Sequence, residues 1–376
     1  MQPEIVTFPL CQLASGDRLL LQVYRFVGHQ PGKKVYIQAN LHGAEIAGNG
    51  VIFELIETLQ GLDAEALWGE VWLLPVCNPQ GVNQRSHHFT SGRYNPYDGR
   101  DWNRIFWDYE QVCRDLGEFA QSHQDLEPED LKHAYRAKIL ECFEQYHRHC
   151  QGARGGSLAE IYRYRIQSLC LDADYLLDLH TSTNQAVDYL YCGQGRSASA
   201  QSFQAQFAII LDEYDGNALD EAFLKPWIAL ERELRHLGRP LQFDLESWTL
   251  ELGSGMAMNR GSIRRGYQGI LNYLAHKGVL KCPGYPLPPS PEPFPIVHKN
   301  QLKRYYAVAG GFIGQRAAVG QMVQVGDPLY TLITYNKSRT LPATITIQAQ
   351  DAGLVFDHAT SQSMNQGEYV LSIVSI

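Results

Sequence analysis

The sequence predicts an α/β domain built on a mixed, mainly parallel sheet flanked by helices, followed by a small all-β domain. Three observations carry that prediction. Short apolar runs of strand length alternate with helical stretches, and a proline-rich break interrupts the chain late. Beyond the break the sequence turns rich in Gly, Val and Gln, with short alternating strands.

The strand-length runs are Lys34–Asn40 (KVYIQAN), Val71–Cys77 (VWLLPVC), Tyr175–Leu179, Phe207–Leu211 and Trp248–Leu252. Their near-continuous apolar character suits strands covered on both faces, as in parallel sheets with crossover helices. Gly48–Leu59 reads as the first such helix. Residues 109–170 read as a helical excursion between two strands, polar on one face. Its histidines, His123, His133, His147 and His149, fit a solvated face better than a site.

The stretch Cys282–Val297 packs seven prolines and reads as a stiff, extended linker. It divides a main domain, residues 1–281, from a β-domain, residues 298–376. There, GFIGQRAAVGQMVQVGDPLYTLI and GLVFDHATSQSMNQGEYVLSI look like two copies of one unit, each turning at a Gly-Asp or Gly-Glu pair. A pseudo-repeated barrel-sandwich of the lipoyl type is the economical reading. It lacks the lysine at the hairpin tip that a cofactor carrier needs.

With 376 residues, a net charge of -8 and 44% hydrophobic residues, the composition is that of an ordinary water-soluble chain. It offers no overall electrostatic footprint for nucleic acid. No secretory signal and no run long enough to span a bilayer are visible. The eight cysteines are scattered without a CxxC pair, which suggests reduced thiols in a cytoplasmic protein and poor metal ligands.

In open α/β sheets, ligands gather beyond the carboxyl ends of the strands, and several strand ends here carry chemistry. After the first run, QANLHGAE sets His42 and Glu45 three residues apart. Alone, that pair is more readily a surface accident than a metal site. The run Tyr175–Leu179 then ends in His180, with Asp178 on the same side of the strand and able to orient an imidazole. A core histidine bonded to a carbonyl is the competing reading. Together, His42, Glu45 and His180 make a three-ligand set for zinc, with a fourth position open for water.

The loop after Cys77 carries Arg85, Arg93, Arg100 and Arg104 in an acidic chain, which suggests a pocket for a carboxylate. Arg100 is instead expected to pair with Asp98 or Asp101. In ESWTLELGSG, Glu251 sits inside an apolar strand, a costly place without a partner or a task. Facing an activated water, its task is general base, then general acid to a leaving amine. Glu246, five residues earlier, faces the other side of the strand and is not expected to share that job.

Five blocks now stand in one order between about Val35 and Ser254. They are His42-Gly43-Ala44-Glu45, Asn78-Pro79-Gln80-Gly81, Asp101-Trp102-Asn103-Arg104 with Ile105-Phe106, His180-Thr181-Ser182, and Thr249-Leu250-Glu251-Leu252-Gly253. In these blocks the chain resembles the succinylglutamate desuccinylase/aspartoacylase branch of the zinc carboxypeptidase superfamily. The C-terminal β-domain is also shared with that branch.

The resemblance implies a zinc-carboxypeptidase-like sheet and a zinc hydrolase, with one Zn2+ per chain held by His42, Glu45 and His180. Glu251 would activate the water. Asn103 and Arg104 would hold the substrate's carboxylate, and Arg93 would polarise the scissile carbonyl. The spacing from Arg93 to Asp101 exceeds the family pattern, which leaves Arg85 as the alternative. The implied activity is deacylation of a small carboxylate-bearing molecule such as an N-acyl amino acid. The alternatives are a carboxypeptidase acting on peptides and a non-catalytic zinc-binding protein. No nucleic acid or membrane partner is expected, and homo-oligomerisation is left open. The helical excursion departs from the family pattern and could cap the cleft.

Overall fold

The structure, a computed structural model, describes residues 1–112, 114–150, 155–214, 217–281 and 292–376. The first strands are β1 (Glu4–Gln12), β2 (Arg18–Val27), β3 (Gln30–Ala39), β4 (Trp68–Leu74), β5 (Tyr175–Ser182), β6 (Gln185–Ala186) and β7 (Asp188–Gly193). They are followed by β8 (Ala208–Leu211), β9 (Glu246–Ser254) and β10 (Ile296–His298). All but β6 form one nine-stranded sheet in the order β1-β2-β4-β3-β5-β9-β7-β8-β10. The central four, β4, β3, β5 and β9, run parallel. The β1–β2 hairpin adds antiparallel pairs at one edge, and β7 runs against β9.

Each face of the sheet covers its own core. Along β5, Tyr175, Leu177 and Leu179 enter the core beneath the helices Ala47–Gly61 and Arg260–His276. Leu176, out of phase with them, enters the opposite core beneath Leu219–His236 and the helices of residues 109–170. A strand side chain recurs on one face every second residue, so Asp178 and His180 share the face of Leu176. The first crossover helix packs tightly: a Cβ on Gly48 would lie 2.8 Å from the Cβ atoms of Ala39 and Leu179.

The helical excursion is broken into Tyr109–Val112, Leu116–His123, Pro128–Cys150 and Leu158–Cys170. Ser157 starts the last with a capping box to Glu160. Its faces are amphipathic: Phe119, Leu131, Tyr135, Ile139 and Phe143 feed the core, while His147 stacks on Tyr164. Among the described residues no helix is long and apolar enough to cross a membrane.

Of the proline-rich stretch, residues 282–291 lie outside the described residues, and Ile296 and Val297 already belong to β10. Beyond it come β11 (Leu302–Tyr306), β12 (Gly311–Arg316), β13 (Met322–Val323), β14 (Pro328–Thr334), β15 (Ala343–Gln348), β16 (Gly353–His358), β17 (Ser363–Met364) and β18 (Tyr369–Val374). The pseudo-repeat is visible in the pairing: β12–β13–β14 matches β16–β17–β18. Each unit lends its short middle strand to the other, β13 to β16 and β17 to β12. Both antiparallel sheets share one core around Val323, Leu332, Val355 and Leu371.

Candidate metal centre

The loop after β3 is shaped by backbone contacts. Asn40, with φ of 65°, turns the chain out of the strand, and its Nδ2 donates to the Glu45 carbonyl at 2.9 Å. Asn78 Nδ2 donates to the Leu41 carbonyl at 2.9 Å. Gly43, Gly81 and Gly92 then stack backbone on backbone. A Cβ on Gly43 would lie 2.1 Å from the Gly81 carbonyl oxygen, and one on Gly92, at φ of +57°, 2.4 Å from it. Only glycine allows this approach. It lets the Gly43 and Ala44 amides donate to the carbonyls of Gly92 and Ser91, which sets Arg93 beside His42. The small residues of this loop thus permit close backbone packing, while the polar side chains they carry are almost wholly covered.

His42, Glu45 and His180 come together, with one potential ligand atom from each lying within 4.8 Å of the others. They are 2%, 2% and 3% exposed. His42 Nδ1 lies 3.0 Å from Glu45 Oε1, and His180 Nδ1 lies 2.8 Å from Glu45 Oε2. The far nitrogens are both taken. His42 Nε2 lies 3.0 Å from Asp101 Oδ1, and His180 Nε2 lies 2.9 Å from Asp178 Oδ2. A carboxylate behind each imidazole is the arrangement that fixes a metal-binding histidine in orientation and tautomer. Gln38 Nε2 in turn donates to Asp178 Oδ1.

The electrostatics point the same way. Burial disfavours charge on both imidazoles, yet the surrounding carboxylates outweigh it and hold both above the usual histidine range. Burial alone would raise Glu45, but the two imidazoles hold its carboxyl far below the usual range, and Asp101 is lowered to about 2 against its own desolvation. Glu45, Asp101 and Asp178 are carboxyl groups in direct contact with the two imidazoles, and Arg93 pairs with two of them. Two Nδ1 atoms and a carboxylate, converging on one point, fit a divalent cation.

Glu251 stands beside His180 in register across the β5–β9 pair. Its Oε2 is buried without a hydrogen-bond partner, and burial, reinforced by Glu45, pushes its pKa up to about 7 despite the nearby cationic side chains. A carboxyl with one orphaned oxygen next to the ligand cluster, poised near neutrality, can take up and release a proton.

The arginines separate cleanly. Arg93 Nε lies 2.9 Å from Asp101 Oδ2, and its Nη1 lies 3.7 Å from Glu45 Oε1. Arg85 instead folds onto the carbonyls of Val82 and Gln84, away from the cluster's cavity. Arg100 pairs with Asp98 at 3.7 Å, as expected. Arg104 and Asn103 line a cavity of about 390 Å³ together with His42, Glu45, Arg93, His180 and Glu251. Asn103 is steadied there by accepting the Leu219 amide at 3.0 Å.

Other contributors escaped the sequence reading. Asp101 was expected only as an ion-pair partner or motif residue, but it bridges His42 and Arg93. Tyr189 and Tyr191, alternating along β7, line the cavity, as do Lys299, Leu302 and Arg304 from the start of the C-terminal region. The tyrosines had a signal in the alternation of DYLYC. The C-terminal residues had none, because only tertiary packing brings them to the cleft.

A family model described as the succinylglutamate desuccinylase/aspartoacylase catalytic domain matches residues 31–277. Among solved structures, a protein from Shewanella frigidimarina NCIMB 400 with a provisional succinylglutamate desuccinylase/aspartoacylase designation has a TM-score of 0.90 at 29% identity. The match covers 100% of this chain and 97% of that one. A family protein from Shewanella amazonensis SB2B gives 0.88 at 30% identity, covering 99% and 98%. The product-bound ectoine utilization protein EutE (DoeB) from Ruegeria pomeroyi shares the fold at 0.66 and 16% identity, covering 100% and 96%. No curated protein matches.

Proposed function

The chain belongs to the succinylglutamate desuccinylase/aspartoacylase family, and from that premise we propose that it is a zinc-dependent deacylase of a small, carboxylate-bearing N-acyl amino acid. One observation carries the reading: two buried histidines, each backed by a carboxylate, turn their Nδ1 atoms to one glutamate beside Glu251, whose Oε2 is buried without a partner.

His42, Glu45 and His180 would hold the ion through atoms that already face one another. Zinc, when bound, supplies Lewis acidity and brings a bound water's pKa from 15.7 toward about 7. Glu251 carries the proton. As a carboxylate it takes one from the attacking water, and as an acid it delivers one to the departing nitrogen. A pKa near neutrality serves both directions. Arg93 offers a guanidinium to the oxygen on which charge develops. Asn103 and Arg104 hold the carboxylate of the amino-acid half, a task suited to a planar fork of donors. The buried cluster excludes bulk water, which strengthens each of these interactions. The cysteines described are free, which supports a reducing compartment such as the cytoplasm.

The test is turnover of N-acetyl and N-succinyl amino acids beside short peptides, with metal content measured on the same sample. Release of the free amino acid by a zinc-loaded chain is the expected result. Turnover confined to peptides would replace the deacylase with a carboxypeptidase.

A further inference from the structure

The strand end that follows His180 is held from two sides. On one side lies the ligand Glu45: the Thr181 amide donates to its Oε2 at 3.2 Å, and Thr183 Oγ1 donates to its Oε1 at 3.3 Å. On the other side lies the C-terminal β-domain. Its β16 pairs with β6, setting Asp357 opposite Ala186 and His358 opposite Gln185. Asp357 is 7% exposed, and three donors meet its carboxyl group. Ser182 Oγ lies 2.5 Å from its Oδ2, while Tyr369 OH at 2.5 Å and Asn184 Nδ2 at 3.3 Å reach its Oδ1. Ser182 and Asn184 flank Thr183, and the Thr360 hydroxyl donates to the Thr183 carbonyl at 3.4 Å.

We propose that Asp357 of the β-domain is a positioning residue for the metal centre, gripping Ser182 and Asn184 so that Thr181 and Thr183 hold Glu45 against His180. This rests on the metal-centre reading above. The β-domain is thereby part of the site's scaffold, coupled to it through a chain of hydrogen bonds. Three donors converge on one carboxylate, and an asparagine there would turn an amide group toward at least one of them.

Zinc affinity of the full chain, measured by competition with a chromophoric chelator, tests the proposal without relying on turnover. Asp357→Asn is expected to weaken zinc binding about 3- to 10-fold, less than the 10- to 100-fold typical when a direct partner of a ligand is lost. Ser182→Ala is expected to weaken it similarly, and the double variant to be no worse than the weaker single, as two members of one contact should behave. Tyr369→Phe loosens the domain's own side of Asp357 while sparing Ser182, so affinity is expected to hold within about twofold. If Asp357→Asn does not fold, Ser182→Ala decides the matter. Parent-like zinc affinity in the folded variants, or an equal loss in Tyr369→Phe, would overturn the proposal while leaving the metal centre intact. A parent chain that binds no zinc would overturn both.

Discussion

Strand β9 carries two glutamates, Glu246 buried at its start and Glu251 half-buried toward its carboxyl end, and the two differ in what surrounds them. Glu246 is fully engaged, with Ser199 Oγ and Tyr273 OH each at 2.7 Å and Lys277 Nζ at 3.1 Å. Glu251, at the carboxyl end, keeps one oxygen without a partner and titrates near neutrality. The same contrast runs along β5's neighbourhood. Asp174 at its entrance is tied to Lys132 and Arg136, whereas Asp178 is committed to His180. One end of the sheet spends its buried carboxylates on structure. The other sets them against an imidazole pair and leaves one Glu251 oxygen unpaired.

The sharpest way to break this contrast is to neutralise both glutamates of β9. Glu251→Gln is expected to keep the metal and lose about 10²- to 10⁴-fold in kcat, the usual range for a general acid–base group. Calorimetry should find it no less stable than the parent, since no hydrogen bond to Oε2 is lost. Glu246→Gln is expected to leave kcat unchanged and to cost about 1–3 kcal/mol of stability, because its partners are left unsatisfied. Exchanged outcomes would refute the assignment.

Smaller effects sharpen it further. Arg93→Ala is expected to lower kcat about 10²- to 10³-fold, while Arg85→Ala, whose guanidinium meets the local carbonyls of Val82 and Gln84, leaves steady-state rates near the parent's. Asp178→Asn is expected to weaken metal affinity 10- to 100-fold, read by chelator competition. The mildest test is pH. Glu251 must be ionised to accept a proton, so kcat/KM should fall as pH drops through its pKa. That value is about 7 without a metal and lower once a cation binds beside it. An acid limb centred above that value would contradict the role.

Much of this was legible in the sequence, for identifiable reasons. The central strands β3, β5 and β9 are buried on both faces, so their apolar runs announce them, and the polar residue that ends each run is conspicuous. His42, Glu45, His180 and Glu251 stand out that way, and the fold brings them together. The hairpin β1–β2 was not, because its exposed positions, such as Ile5 and Leu20, blur the alternation that marks a half-buried strand. Residues that act through contacts distant in sequence were equally hidden. Asp101 reaches His42 across 59 residues, and Asp357 reaches Ser182 across 175. The three glycines, Gly43, Gly81 and Gly92, show their purpose only when their backbones are seen to touch.

The most direct test is a zinc titration of the chelator-treated parent chain beside His180→Ala. The account predicts one tightly bound equivalent in the parent, no tight binding in the variant, and amide hydrolysis that appears in proportion to the zinc added. A parent chain that takes up no zinc, or a variant that binds it equally well, would contradict it.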